Sequence, residues 1–104
     1  MEDLTGFYNE LFEDEHWRSL SAPAKIFYEC LKGKYSGSNN GEIRLLYRDM
    51  ENVRGCSSNT AIQKAIRELE EKGWIKLERR GSLYRHNNHF RLTFKYDKFG
   101  YVKY

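Results

Sequence analysis

Hydrophobic residues follow the period of an α-helix in residues 21–35. The apolar positions recur at intervals of three and four residues, which places them on one face of a helix. Ser21 can cap the first free backbone N–H groups, and Pro23 lies in the first turn, where a missing N–H does no harm. The stretch therefore predicts a helix whose apolar stripe consists of Ala24, Phe27, Tyr28, Leu31 and Tyr35.

A second amphipathic helix is predicted over residues 57–72. Ser57 or Ser58 can cap its start, and Lys72 followed by Gly73 is typical of a helix end. The predicted buried stripe consists of Ile62, Ala65, Ile66 and Leu69.

Shorter elements are predicted before this helix. Residues 7–18 have helical spacing and form either a short helix or an irregular arm, and residues 42–45 alternate as in a very short strand. Leu46, Met50 and Val53 predict a two-turn helix over 47–53. Gly55 then allows a tight turn, because glycine adopts backbone angles that other residues avoid.

Two strands are predicted in the C-terminal third. Residues 74–79 and 89–96 alternate between apolar and polar positions, with Phe90, Leu92, Phe94 and Tyr96 on one face of the second strand. Its solvent face carries Arg91, Thr93 and Lys95. The connection between the strands is polar and basic, and it is long for a hairpin turn.

The order of these elements predicts an α+β fold of the winged-helix class. It would contain a three-helix helix-turn-helix core, a C-terminal two-stranded β-hairpin wing and a short extra strand. A length of 104 residues fits one domain over 1–104, with an acidic N-terminal arm (1–19) and an aromatic C-terminal tail (97–104). No stretch approaches the ~20 apolar residues of a membrane span. We expect a cytoplasmic protein without a membrane partner, in which Cys30 and Cys56 are free thiols.

Charge is distributed unevenly along the chain. Residues 1–20 contain six acidic residues and one basic residue, whereas residues 72–104 contain nine basic and two acidic residues. The net charge of +3 conceals this gradient. A basic C-terminal part favours a polyanionic partner.

The helix over 57–72 combines a polar first half with an acidic second half. Asn and Gln can bond adenine, Arg and Lys can bond guanine or phosphate, and a helix start can bind phosphate. Glu68, Glu70 and Glu71 lie where the helix would leave the groove of a duplex. The candidate DNA-binding residues are Ser57, Ser58, Asn59, Thr60, Gln63, Lys64 and Arg67 in the helix and Arg79, Arg80 and Arg85 in the wing (79–88).

Four stretches, residues 20–35, 39–50, 56–75 and 90–97, resemble winged-helix DNA-binding proteins of phages and mobile elements. They are also similar to the N-terminal domains of plasmid replication initiators. The resemblance implies duplex DNA binding in transcriptional regulation or replication initiation, with contacts from Ser58, Asn59, Thr60, Gln63 and Lys64 and wing contacts around Arg80 and Arg85. This chain departs from the family at Leu46, where the family often has Ser or Thr. Leucine weakens the helix cap at this position and offers no hydroxyl for a phosphate contact.

The alternative is a winged-helix module that binds proteins and not DNA. The acidic arm with Trp17, or the aromatic tail, would then dock a partner protein or a second copy of the chain. We expect no enzymatic activity, cofactor or metal. His86 and His89 lack a matching ligand pair, and no histidine can be placed beside Cys56 from sequence.

Overall fold

The computed structural model describes residues 15–45, 47–79 and 88–96. Over these residues the chain forms four helices and a three-stranded antiparallel sheet, which confirms the predicted α+β class. In chain order the elements are α1 (Glu15–Arg18), α2 (Ala22–Lys34), β1 (Ile43–Arg44), α3 (Tyr47–Met50), α4 (Asn59–Glu71), β2 (Ile75–Arg79) and β3 (His89–Leu92).

The two long helices start at the serines that the sequence offers. The Ser21 hydroxyl accepts a hydrogen bond from the Ala24 N–H at 3.3 Å, and the Ser58 hydroxyl accepts one from the Ala61 N–H at 3.1 Å. Gly73, with φ of +83°, follows the end of α4. The helices pack on each other over their apolar stripes, of which Tyr35 and Ile66 are only half-buried. Their shared core contains Ala24, Phe27, Leu31, Ile62, Ala65 and Leu69.

The sheet has β3 at its centre, in the order β1-β3-β2. Ile43 is paired with Phe90, and Ile75 with Leu92; all four side chains are buried. The Phe27 ring of α2 meets the Phe90 ring edge-on, with centroids 5.7 Å apart. The sheet therefore closes the core beneath α2.

The predicted strand over 89–96 is too long, because β3 ends at Leu92. The last pair of the ladder joins Leu92 to Ile75, the first residue of β2. Beyond it the Thr93 N–H donates to the Trp74 carbonyl at 3.2 Å and the Thr93 hydroxyl to the Gly73 carbonyl at 2.6 Å, but Phe94 has a left-handed φ of +57°, which ends the extended backbone. Phe94 and Tyr96 are consequently half-buried against the core outside the ladder.

The predicted helix over 47–53 is also too long, since α3 ends at Met50. Beyond it the chain uses bonds that span three residues: the Val53 N–H donates to Met50, and the Cys56 N–H donates to Val53. Such bonds describe successive tight turns, which bring the chain to the start of α4.

Asn40 completes one edge of the sheet. Its side-chain amide accepts a hydrogen bond from the Leu92 N–H at 2.8 Å and donates one to the Leu92 carbonyl at 3.0 Å. Next to it, the Gly41 N–H donates to the Phe90 carbonyl at 3.2 Å. A side chain thus replaces the backbone that a longer β1 would have supplied.

Three aromatic rings form the end of the core near α1. The Trp74 ring lies 5.6 Å from Trp17 and 5.2 Å from Tyr28, both edge-on. Trp17 is only 3% exposed. The Trp17 ring therefore belongs to the core, and docking through the acidic arm stays a prediction for residues 1–14, which lie outside the described residues.

Cys30 lies in α2 and is half-buried, whereas Cys56 is buried in the turn before α4, and both are free thiols, as predicted. Burial raises the pKa of each thiol. Within the described ranges, no helix has the length and apolar character needed to cross a bilayer.

Candidate nucleic-acid interface

One side of α4 is buried and the other faces solvent. Ile62, Ala65 and Leu69 pack into the core. Most of the candidate residues lie on the opposite side or at the helix start and are exposed: Ser57, Ser58, Asn59, Thr60, Lys64 and Arg67. We call these six residues and Gln63 the α4 polar face.

Gln63 differs from the prediction of an exposed side chain, since it is half-buried. It lies one turn before Ile66, at the edge of the stripe that packs on the core. A side chain in this position has fewer rotamers than one at the centre of the exposed face.

The start of α4 is open to a ligand with negative charge. Ser58 uses an oxygen lone pair to accept from Ala61, which leaves its hydroxyl hydrogen free to donate. The first turn contains no acidic residue. The first N–H groups of a helix have no partner within the helix, so this end is suited to a phosphate oxygen.

Lys64 and Arg67 provide the positive charge of the α4 polar face. Within residues 15–45, 47–79 and 88–96, neither side chain forms an ion pair. Glu68 and Glu71 are four residues beyond Lys64 and Arg67 respectively, which is the spacing at which helix ion pairs usually form. No described residue therefore competes with a partner for these two cations.

Glu68 is not available to Lys64 because its carboxylate is bonded elsewhere. Its two oxygens accept from the N–H and the hydroxyl of Ser21, each at 2.7 Å. Partial burial disfavours the charged form, but the Ser21 bonds and the Lys72 ammonium outweigh burial and lower the pKa of Glu68. Sequence reasoning missed this role, since 47 residues separate the partners.

Glu70 is also used within the fold. Its carboxylate accepts a hydrogen bond from the Leu77 N–H of β2 at 3.3 Å. The third acid, Glu71, is exposed at the end of α4. The acidic charges thus lie at the opposite end of the helix from its free N–H groups.

The turn before α4 fits closely against α2. Gly55 has φ of +93°, and a Cβ atom at this position would lie 2.7 Å from Cδ1 of Ile26. The predicted use of Gly55 for an unusual backbone angle is confirmed. The turn that leads to the start of α4 is therefore one that favours glycine, both for its positive φ and for the small space beside Ile26.

The wing residues are described only in part. The backbone of Arg79 ends β2 and is paired with His89, after a bulge that follows Leu77. The side chain of Arg79, and the whole of Arg80 and Arg85, lie outside the described residues. The structure therefore brings together the seven candidates of α4 and leaves the three wing arginines as predictions.

A cavity of about 400 Å³ lies at the far end of α4 from the polar face. The His16 ring is stacked on the Tyr96 ring at its wall, with centroids 3.9 Å apart. The cavity is lined by His16, Ser19, Glu71, Lys72, Gly73, Trp74, Lys95 and Tyr96. No group of three or more metal-ligating side chains occurs in the part of the chain that the structure describes.

Comparison with protein-family models, curated protein sequences and solved structures found no match to this chain. Any function for α4 must therefore be argued from its own geometry and charge.

Proposed function

We propose that this chain is a winged-helix protein that binds duplex DNA through the exposed side of α4. The observation that carries the proposal is the α4 polar face, which is almost entirely exposed and has two cations without ion pairs to described residues. Its role would lie in transcriptional regulation or replication initiation of a phage or mobile element, as the sequence resemblance implies.

The architecture supports the winged-helix assignment. A short helix and a tight turn precede α4, and α4 leads directly into β2 and β3. β2 and β3 are antiparallel neighbours in the β1-β3-β2 sheet, which is the arrangement of strands expected on either side of a wing. In this proposal the wing, whose tip lies outside the described residues, is a second point of contact beside α4.

The dimensions of α4 suit the major groove. An α-helix with its side chains is roughly 10–12 Å across, and the major groove of B-DNA is roughly 12 Å wide. With the helix start inserted, Asn59 and Gln63 would face base edges, since their amides can form paired bonds with adenine. Ser58, Lys64 and Arg67 would contact phosphates or guanine.

The wing would add contacts that position the protein without reading sequence. Arg79, Arg80 and Arg85 have the guanidinium groups suited to phosphate oxygens. Their contribution would be equal for all duplexes. Sequence preference would then come from α4 alone.

Titration of labelled duplexes at several salt concentrations tests the proposal. The wild-type protein should bind in the micromolar range or tighter, and log Kd should change linearly with log salt. Lys64→Gln with Arg67→Gln should lower the slope by about 2 if both residues contact phosphate. Selection of bound sequences from a random duplex pool would then give the preferred site.

Lys95→Gln is the control for the loss of a single positive charge, to be compared with Lys64→Gln alone, because Lys95 is exposed and lines the cavity at the far end of α4. It removes one positive charge but should leave the slope unchanged. Absence of salt-sensitive binding by the wild-type protein at micromolar concentration would overturn the proposal.

A further inference from the structure

Glu68 fastens the last turn of α4 to the start of α2. One carboxylate oxygen accepts from the Ser21 N–H and the other from the Ser21 hydroxyl, both at 2.7 Å. The same hydroxyl accepts from the Ala24 N–H, so Ser21 caps α2 while it binds Glu68. The carboxylate charge at this helix start is also favourable to α2.

Lys72 adds a second link between the same segments. Its ammonium lies 3.6 Å from the Glu68 carboxylate and donates to the Ser19 carbonyl at 2.9 Å. Ser19 and Ser21 belong to the connection between α1 and α2. We call these four residues, Ser19, Ser21, Glu68 and Lys72, the clasp.

The clasp constrains the angle between α2 and α4, which apolar packing alone does not fix. Packing of the apolar stripes of two helices favours certain crossing angles but leaves a scatter of roughly 15–20° about them. Hydrogen bonds weaken steeply when they bend, and a carboxylate bonded through both oxygens fixes an orientation. The clasp therefore limits rotation of α4 against α2.

A small rotation at the clasp becomes a large displacement at the α4 polar face. Asn59 lies nine residues before Glu68, which is about 13 Å along the helix axis. A rotation of about 10° about Glu68 would then move Asn59 by about 2 Å. Hydrogen bonds to bases tolerate only a few tenths of an ångström.

We propose that Glu68 is a positioning residue, which sets the angle at which α4 meets base edges although it contacts no DNA itself. This inference rests on the proposed function. Glu68 would thus affect which DNA sequence is recognised by orienting α4, without any contact between its carboxylate and the DNA.

The test compares Glu68→Gln with Glu71→Gln. Both variants lose one negative charge from the last turn of α4, so both gain equally in general attraction to DNA. Only Glu68→Gln weakens the clasp, because an amide has a single acceptor atom in place of the two oxygens that bind the Ser21 N–H and hydroxyl, and because it has no charge to pair with Lys72. Duplex affinity is measured where circular dichroism shows both variants fully folded, so that lowered stability alone does not change it.

Glu68→Gln should bind the selected duplex roughly 3- to 30-fold more weakly than Glu71→Gln and should discriminate less against a duplex with a changed base pair. Ser21→Ala should reproduce part of the loss, and Ser21→Thr, which keeps the hydroxyl, should restore it. Equal affinity and discrimination for Glu68→Gln and Glu71→Gln would overturn the inference.

Residual dipolar couplings of the free proteins separate this inference from the proposed function. The α4 axis should reorient relative to α2 in Glu68→Gln but not in Glu71→Gln. An unchanged α4 orientation in Glu68→Gln would overturn the inference that the clasp sets the helix angle, whatever the DNA affinities are. If the wild-type protein binds no duplex, the proposed function fails, and a reoriented α4 would still show that the clasp sets the helix angle.

Discussion

The two ends of α4 differ in where their polar groups are directed. Ser58 caps the first end, and along the exposed side that follows, Lys64 and Arg67 face solvent without ion pairs to described residues. At the last end, Glu68 is bonded to Ser21, and Glu70 to the Leu77 N–H. Charged residues of both signs occur on α4, but the carboxylates that are hydrogen-bonded within the fold are less free to bind a partner. A binding surface is therefore recognised by charged side chains that are exposed and unpaired, and not by charge alone.

The largest expected effect tests whether the buried side of α4 supports stability while its exposed polar face does not. Leu69→Ala should lower the free energy of unfolding by about 2–5 kcal/mol, because Leu69 is fully buried and the change leaves a cavity. Lys64→Ala should change it by less than about 0.5 kcal/mol. Urea unfolding followed by the fluorescence of the two tryptophans measures both. Similar losses for the two variants would remove the distinction.

The second prediction concerns how the first end of α4 is placed. Gly55→Ala should cost about 1–2 kcal/mol for its left-handed φ, and the contact with Ile26 adds to this. Gly37→Ala is the matched control, since Gly37 has φ of +95° but nothing within 4 Å of an added Cβ. Ile26→Val removes Cδ1. In the Gly55→Ala background it should therefore recover the stability that Gly55→Ala loses beyond the loss in Gly37→Ala. Equal thermal stability of the two glycine variants would show that the contact with Ile26 is unimportant.

The smallest expected effect is the contribution of the Glu68 charge. Because the pKa of Glu68 is lower in the folded protein, the ionised carboxylate stabilises the fold above its ordinary pKa of 4.5, and this stabilisation is lost as pH falls through the folded value. Glu68→Gln should be less stable than wild type by about 1 kcal/mol at pH 7. The gap should narrow as the pH falls below about 4.5. Urea unfolding at pH 7 and pH 3 measures it, and a constant gap would contradict the role of the charge.

The long elements could be predicted from sequence because their signals are local. The stripes of α2 and α4, the serine caps and the glycine after α4 are all encoded within one helix turn of the position that they affect. The same holds for the exposure of most of the α4 polar face, which follows from its position opposite Ile62, Ala65 and Leu69.

The rest depended on contacts between distant residues. β3 ends opposite the first residue of β2, and Gln63 is half-buried although its spacing places it beside exposed residues of α4. The direction of the Glu68 carboxylate depends on Ser21, far away in sequence. None of these follows from the spacing of residues along one segment, so periodicity alone could not reveal them.

The side chain of Asn40 has a consequence for solubility. A strand edge with unpaired N–H and C=O groups invites another molecule to add a strand, which begins aggregation. β1 covers only part of one side of β3, and beyond it Asn40 occupies both backbone groups of Leu92. The Asn40 amide thereby blocks intermolecular strand addition at this site. β1 can therefore be very short without leaving unpaired backbone groups of Leu92 exposed at the edge of the sheet.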